Sequence, residues 1–114
     1  MIHTFMHNPD ITIVKPGSDR LTAVNAKAFK DDISDVINAG GTRLVVDLNE
    51  VGFIDSSGLG ALVGVLKKIG YHGELVLSGL NEDVAQMFKV CRMDRVFTSY
   101  PSVDAAVQKL AEAA

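Results

Sequence analysis

A chain of 114 residues with 47% hydrophobic and 22% charged side chains has the length of one domain and enough apolar material for an ordinary core, which excludes intrinsic disorder. Eleven Lys and Arg against fourteen Asp and Glu leave a formal charge of −3, without the basic excess that a nucleic-acid interface needs. The lone cysteine, Cys91, leaves no internal disulfide framework and no multi-cysteine zinc site; no apolar run approaches the ~18 residues of a membrane span and no signal peptide is visible, so the expectation is one cytoplasmic domain over residues 1–114 with no direct membrane insertion.

Residues 2–7 and 11–15 are short β-prone runs separated by Asn8-Pro9-Asp10, which predicts a hairpin. From about Thr22 the period changes: Ala26, Phe29, Ile33, Val36 and Ile37 share one face of a helix that Gly40-Gly41 ends. The nearly continuous apolar run 44–48 suits a strand buried on both faces. A second helix is expected over 57–69, with Leu59, Leu62, Val63, Leu66 and Ile69 on its apolar side. Residues 75–77 form another buried strand. A third helix covers 81–91 with Val84, Met87, Phe88 and Cys91 in line, which makes Cys91 a small buried hydrophobe. Val96-Phe97 is a minimal last strand, and Ser102 caps a final helix whose stripe is Val103, Ala106, Val107 and Leu110.

The predicted order is β β α β α β α β α. It implies an α/β fold with a mixed, mostly parallel sheet of about five strands and about four helices joined by right-handed crossovers. Loops 16–22, 49–57 and 78–82 then leave from the carboxyl ends of parallel strands and share one rim, where open α/β sheets place their sites. The charges expected there are Asp19, Asp47, Glu50 and Asp55, against Lys15, Arg20 and Arg43.

Phe53-Ile54-Asp55-Ser56-Ser57-Gly58-Leu59-Gly60 is the most unusual segment. Asp55, Ser56 and Ser57 are all good helix caps. Gly58, Gly60 and Gly64 nevertheless fall in the first turns of the helix, where each costs about 0.5–1 kcal/mol relative to alanine. A strip of small residues there serves either close packing on the sheet or contact with another molecule. Packing suits Gly64 better; for Gly58 and Gly60 both readings stand. A serine at a helix N-terminus is also well placed for a phosphate, which adds about −1.5 to −2 charges beside free N–H groups.

Catalytic signatures are missing. There is no nucleophile elbow around Ser56 or Ser57, no phosphate loop and no dinucleotide fingerprint. His3 and His7 stand about two pleats apart on one strand, too far to chelate one ion. Neither an enzyme nor a metal or cofactor site is expected.

With Val45-Val46-Asp47-Leu48, Val51 and the 53–60 block, the sequence resembles the STAS family, the sulfate-transporter and anti-sigma-factor-antagonist domains. The likeness extends upstream through Arg20-Leu21-Thr22-Ala23-Val24-Asn25-Ala26 and Phe29. Downstream it runs through Leu77-Ser78-Gly79-Leu80, Met93-Asp94-Arg95-Val96-Phe97 and Ser102-Val103. In the antagonist branch, the resemblance implies a protein without catalytic activity that binds an anti-sigma factor doubling as a serine kinase and so regulates transcription by partner switching. It also implies that the kinase phosphorylates the first serine or threonine after the Asp, here Ser56, and that a serine phosphatase reverses this. By the same resemblance, the partner-binding set is Asp19, Arg20, Thr22, Asp55, Ser57, Gly58 and Gly60. Thr22 stands where antagonists often carry an acidic residue, and Asp19 is the nearby substitute. Two other functions remain open: a STAS subunit of a membrane transporter of the lipid-exporting ABC type, and an anion- or nucleotide-binding module using the helix N-terminus.

Overall fold

A computed structural model describes residues 2–8 and 10–112. Strands β1 (His3–Asn8) and β2 (Ile11–Lys15) form the expected hairpin. Pro9 lies outside the described residues, but the turn around it is fixed by Asn8, whose Oδ1 accepts from the amides of Asp10 at 2.8 Å and Ile11 at 2.9 Å. The chain continues through β3 (Arg20–Leu21), α1 (Ala26–Asn38), β4 (Arg43–Asp47), β5 (Phe53–Ile54), α2 (Ser56–Ile69), β6 (Glu74–Ser78), α3 (Glu82–Val90), β7 (Ser99–Tyr100) and α4 (Val103–Glu112).

The main sheet has five strands in the order β1-β2-β4-β6-β7, parallel except for β1. Central β4 is apolar because both of its faces are covered. Leu44 and Val46 point into the cluster under α1, α2 and α3, and Val45 points into the smaller cluster under α4. The two-residue strands β3 and β5 pair parallel with each other outside this sheet, Arg20 opposite Phe53 and Leu21 opposite Ile54. Periodicity gave no sign of them.

Several expectations need correction. The period changes from about Thr22, but helix α1 begins only at Ala26. Residues 22–25 instead make a turn closed by Asn25, which accepts from the Thr22 amide at 2.9 Å and donates to the Arg20 carbonyl at 2.8 Å. The buried face of α2 is Gly58, Ala61, Leu62, Val65 and Ile69. Leu59, Val63 and Leu66 are only half-buried, because the helix lies against its neighbours on the small-residue side. Cys91 is exposed: α3 ends at Val90, and Arg92 turns the chain away with a left-handed φ of 60°. Val96-Phe97 is no strand. It follows the 3-10 turn Met93–Arg95, and Phe97 plugs the core with its ring centroid 5.9 Å from that of Phe88, while Ser99–Tyr100 pairs with β6.

The carboxyl ends of the parallel strands do meet at one rim. The amide of Gly52 donates to the Asp19 carbonyl at 2.9 Å, and that of Leu48 to the Ser78 carbonyl at 2.8 Å. Gly79 turns tightly at φ 71°, with Asn49 against it. Arg43 does not belong to this rim. It begins β4 at the opposite end, where its side chain meets Glu74 at 3.5 Å and the Leu110 carbonyl.

Candidate functional site

The site is built where β5 runs into α2. Asp55 stands in an extended conformation at the helix cap. Its Oδ1 accepts from the Gly58 amide at 2.9 Å, and its Oδ2 accepts from the Ala23 amide at 3.1 Å. Its own amide donates to the Leu21 carbonyl at 3.1 Å. One carboxylate thus caps the helix and ties down the 22–25 turn. The arrangement holds its pKa below the ordinary 3.8, chiefly through the Gly58 amide, with the Ala23 and Ser57 amides adding to it against the cost of burial.

A pKa lowered by folding adds stability above the unfolded value, and that stability is lost as pH falls through the folded value. The thermal midpoint of the wild type should therefore drop toward that of Asp55→Asn as pH is lowered from about 5 to about 2. Unfolding followed by circular dichroism across that range checks this; a constant gap between the two proteins would show that the charge is not what the turn reads.

Ser56 and Ser57 open α2 and are exposed at the helix N-terminus. The two early glycines that sequence left undecided separate here. Gly58 is buried, and a Cβ on it would lie 2.2 Å from the Leu21 carbonyl oxygen, so its role is to let α2 close on β3. It is not available as a partner contact. Gly60 is exposed, with nothing within 4 Å of a Cβ. A Cβ on Gly64 would lie 2.9 Å from Cε of Lys30 on α1, the flexible end of a side chain that can move aside. Gly60→Ala should therefore raise stability by up to about 1 kcal/mol, read as an upward shift in chemical-denaturation midpoint.

Among the other expected partner residues, Asp19 and Arg20 are exposed. Thr22 is half-buried and caps its own turn, its Oγ1 accepting from the Val24 amide at 3.3 Å. The Arg20 guanidinium lies over the Phe53 ring, 4.9 Å from the centroid. Asp47 is nearly buried and has Lys15 at 3.7 Å, so it adds little free charge to the rim.

Sequence reasoning missed the apolar part of this surface. Val24 is 94% exposed and Phe53 46% exposed. They border two shallow clefts: one of about 260 Å³ lined by Gly52, Phe53, Ile54, Asp83, Val84 and Met87, and one of about 350 Å³ lined by Ser18, Arg20, Thr22, Val24 and Asn25. A valine inside a turn and an aromatic in a two-residue strand carry no periodic signal. Among the described residues, no group of three or more His, Cys, Asp or Glu could hold a metal, and no helix is long and apolar enough to cross a membrane. The rim presents a hydroxyl pair, bare glycine surface at Gly60 and exposed apolar side chains, which is the chemistry of a protein contact.

Comparison with known proteins bears on the same segment. The model of the STAS domain matches residues 4–106. A Thermotoga maritima protein named "Putative anti-sigma factor antagonist" is 30% identical over 103 residues, covering 89% of this chain and 90% of that protein. A crystal structure from the same organism, of a protein given the same description, superposes with a TM-score of 0.85 at 27% identity, over 95% of this chain and 92% of that one. The anti-sigma-B factor antagonist of Listeria monocytogenes is 41% identical over 51 residues, covering 44% of this chain and 45% of that protein.

Proposed function

This chain belongs to the STAS domain family, and on that premise we propose that it is an anti-sigma-factor antagonist switched by phosphorylation of Ser56. In this reading it is a cytoplasmic regulatory protein without catalytic turnover. With a free hydroxyl at Ser56 it binds an anti-sigma factor that is also its serine kinase, and so releases a sigma factor. A serine phosphatase resets it. The observation that carries the reading is the position of Ser56: exposed, first in α2, and directly after an aspartate whose two oxygens fix both the helix start and the neighbouring turn. A phosphate there sits at the positive end of the helix, so the domain tolerates it while the surface changes sharply. Asp19, Arg20, Thr22, Ser57 and Gly60 supply the polar part of the contact, and Val24 and Phe53 the apolar part. Gly58 supports it from beneath.

Incubation with the kinase and ATP, followed by mass-spectrometric mapping, should place one phosphate on Ser56. Ser57→Ala should be modified at the full rate and Ser56→Ala not at all. Phosphate on Ser57 alone, or full-rate modification of Ser56→Ala, would falsify the assignment.

A further inference from the structure

Strand β1 is the outer edge of the main sheet. Residues 3–7 are all exposed, with Phe5 54% and Met6 70% open to solvent. In an antiparallel pair, alternate backbone N–H and C=O groups of the edge strand point away from its neighbour. Among the described residues, no further strand takes up those of β1. Soluble proteins usually blunt such an edge with lysine, proline, charge or a covering segment. The run His3-Thr4-Phe5-Met6-His7 contains no Lys, Arg, Asp, Glu or Pro. Its ladder with β2 is regular from His3 to Met6 and slips only between Met6 and Asn8. Asn8 is already committed to the turn.

We propose that β1 is a homodimerisation edge, pairing antiparallel with β1 of a second copy about a two-fold axis through Phe5. The sheet becomes continuous across both copies, with twice the five strands of one. The occupant is a second copy because the strand matches its own reverse. An axis perpendicular to the sheet keeps each face continuous, so facing residues must be of the same parity. Centred on Phe5, the pairing sets Phe5 against Phe5, His3 against His7 and Thr4 against Met6. Phe5 is the register partner of Ile13, which packs on the α4 side of the sheet. On that side the strand reads His, Phe, His in either direction, which is the self-complementarity an isologous contact requires. Facing aromatics on an antiparallel pair attract, and no Lys, Arg, Asp or Glu within residues 3–7 opposes the approach. Lys15, whose Nζ lies 6.0 Å from the Phe5 ring, has Asp47 as its counter-charge. Helix α4 lies across β4, β6 and β7 and reaches β2, which leaves the Phe5 face open. No residue of β1 lines the two clefts beside Phe53 and Val24, so dimerisation and switching are separable.

Sedimentation equilibrium on the full chain tests this. The wild type should show a monomer–dimer equilibrium as concentration rises toward about 1 mM. Phe5→Lys should weaken association at least tenfold. Tyr71→Lys, at a fully exposed residue of the Gly70–His72 turn, should associate like the wild type. Thermal unfolding establishes that each variant is folded; should Phe5→Lys not fold, Thr4→Lys places the same charge on the edge from the other face. A wild type that stays monomeric at about 1 mM, or a dimer that folded Phe5→Lys or Thr4→Lys leaves at full strength, overturns the proposal.

Discussion

Phosphorylated at Ser56, the chain is expected to bind its anti-sigma factor at least a hundredfold more weakly than the unmodified chain. The modified serine stays held by its own helix N-terminus, so the loss arises in the interface and not from unfolding. Around it the rim offers little positive charge. Arg43 is at the other end of β4, Lys15 faces Asp47, and Arg20 lies over Phe53. A partner surface shaped to a hydroxyl and to the open side of Gly60 would have to desolvate a dianion without a matching cation. An unpaired interfacial charge costs at least a few kcal/mol, and about 2.8 kcal/mol is already a factor of a hundred. Ser56→Asp should lose only part of the affinity, having one charge and a different shape. Ser56→Ala should bind like the unmodified wild type. Calorimetric titration of one anti-sigma factor preparation with all four forms checks the series. Tighter binding of the phosphoprotein would reverse the sign and mark a partner that reads phosphate.

Gly58→Ala should destabilise the domain by about 1–3 kcal/mol, although alanine is the better helix former by up to about 1 kcal/mol. The added methyl meets the Leu21 carbonyl at 2.2 Å and Ile54 Cγ2 at 3.0 Å. Backbone cannot rotate aside as a side chain can, so α2 must lift from the β3–β5 pair. The Asp55 bonds to Ala23 and Gly58 span this junction and loosen with it. Chemical denaturation should show a lower midpoint for Gly58→Ala and a higher one for Gly60→Ala, opposite signs from one substitution two residues apart. Equal or raised stability in Gly58→Ala would mean that β3 yields easily and that the close approach is not required.

Those two glycines mark how far sequence reading reaches. Strands β4 and β6 and the stripe of α4 are legible because each element answers one uniform environment; the stripe of α3 holds at Val84 and Phe88 but not at Cys91. Leu44 to Leu48 are buried on both sides, and Ala106, Val107 and Leu110 repeat on one helix face. The rim was legible for the same reason, since strand polarity alone decides which loops meet. The apolar stripe of α2 is legible at Leu62 and Ile69, which are buried, but bulk draws the expected face toward Leu59, Val63 and Leu66, whereas close packing selects Gly58, Ala61 and Val65. Strands β3 and β5 exist because Gly52 and Asp55 donate across to Asp19 and Leu21, a pairing set by tertiary closure and not by any local pattern. Val24 and Phe53 cannot be placed at the surface from sequence, because a turn and a two-residue strand give no periodicity to read. Arg43 is expected at the rim beside Lys15 and Arg20, but it begins β4 and so lies at the opposite end of the strand. The Asp-Ser-Ser-Gly block itself was readable as a helix start in either functional account; only the fold shows Asp55 reaching the 22–25 turn.

The partner should cover the surface around Ser56. The check is the amide spectrum of the isotopically labelled chain, recorded with and without the unlabelled anti-sigma factor. Shifts or broadening are expected at Ala23, Val24, Phe53, Ser56, Ser57 and Gly60, with β1 and the outer face of α4 unaffected. Perturbation confined to β1 or α4, with the Ser56 and Ser57 amides unchanged in the complex, would contradict it.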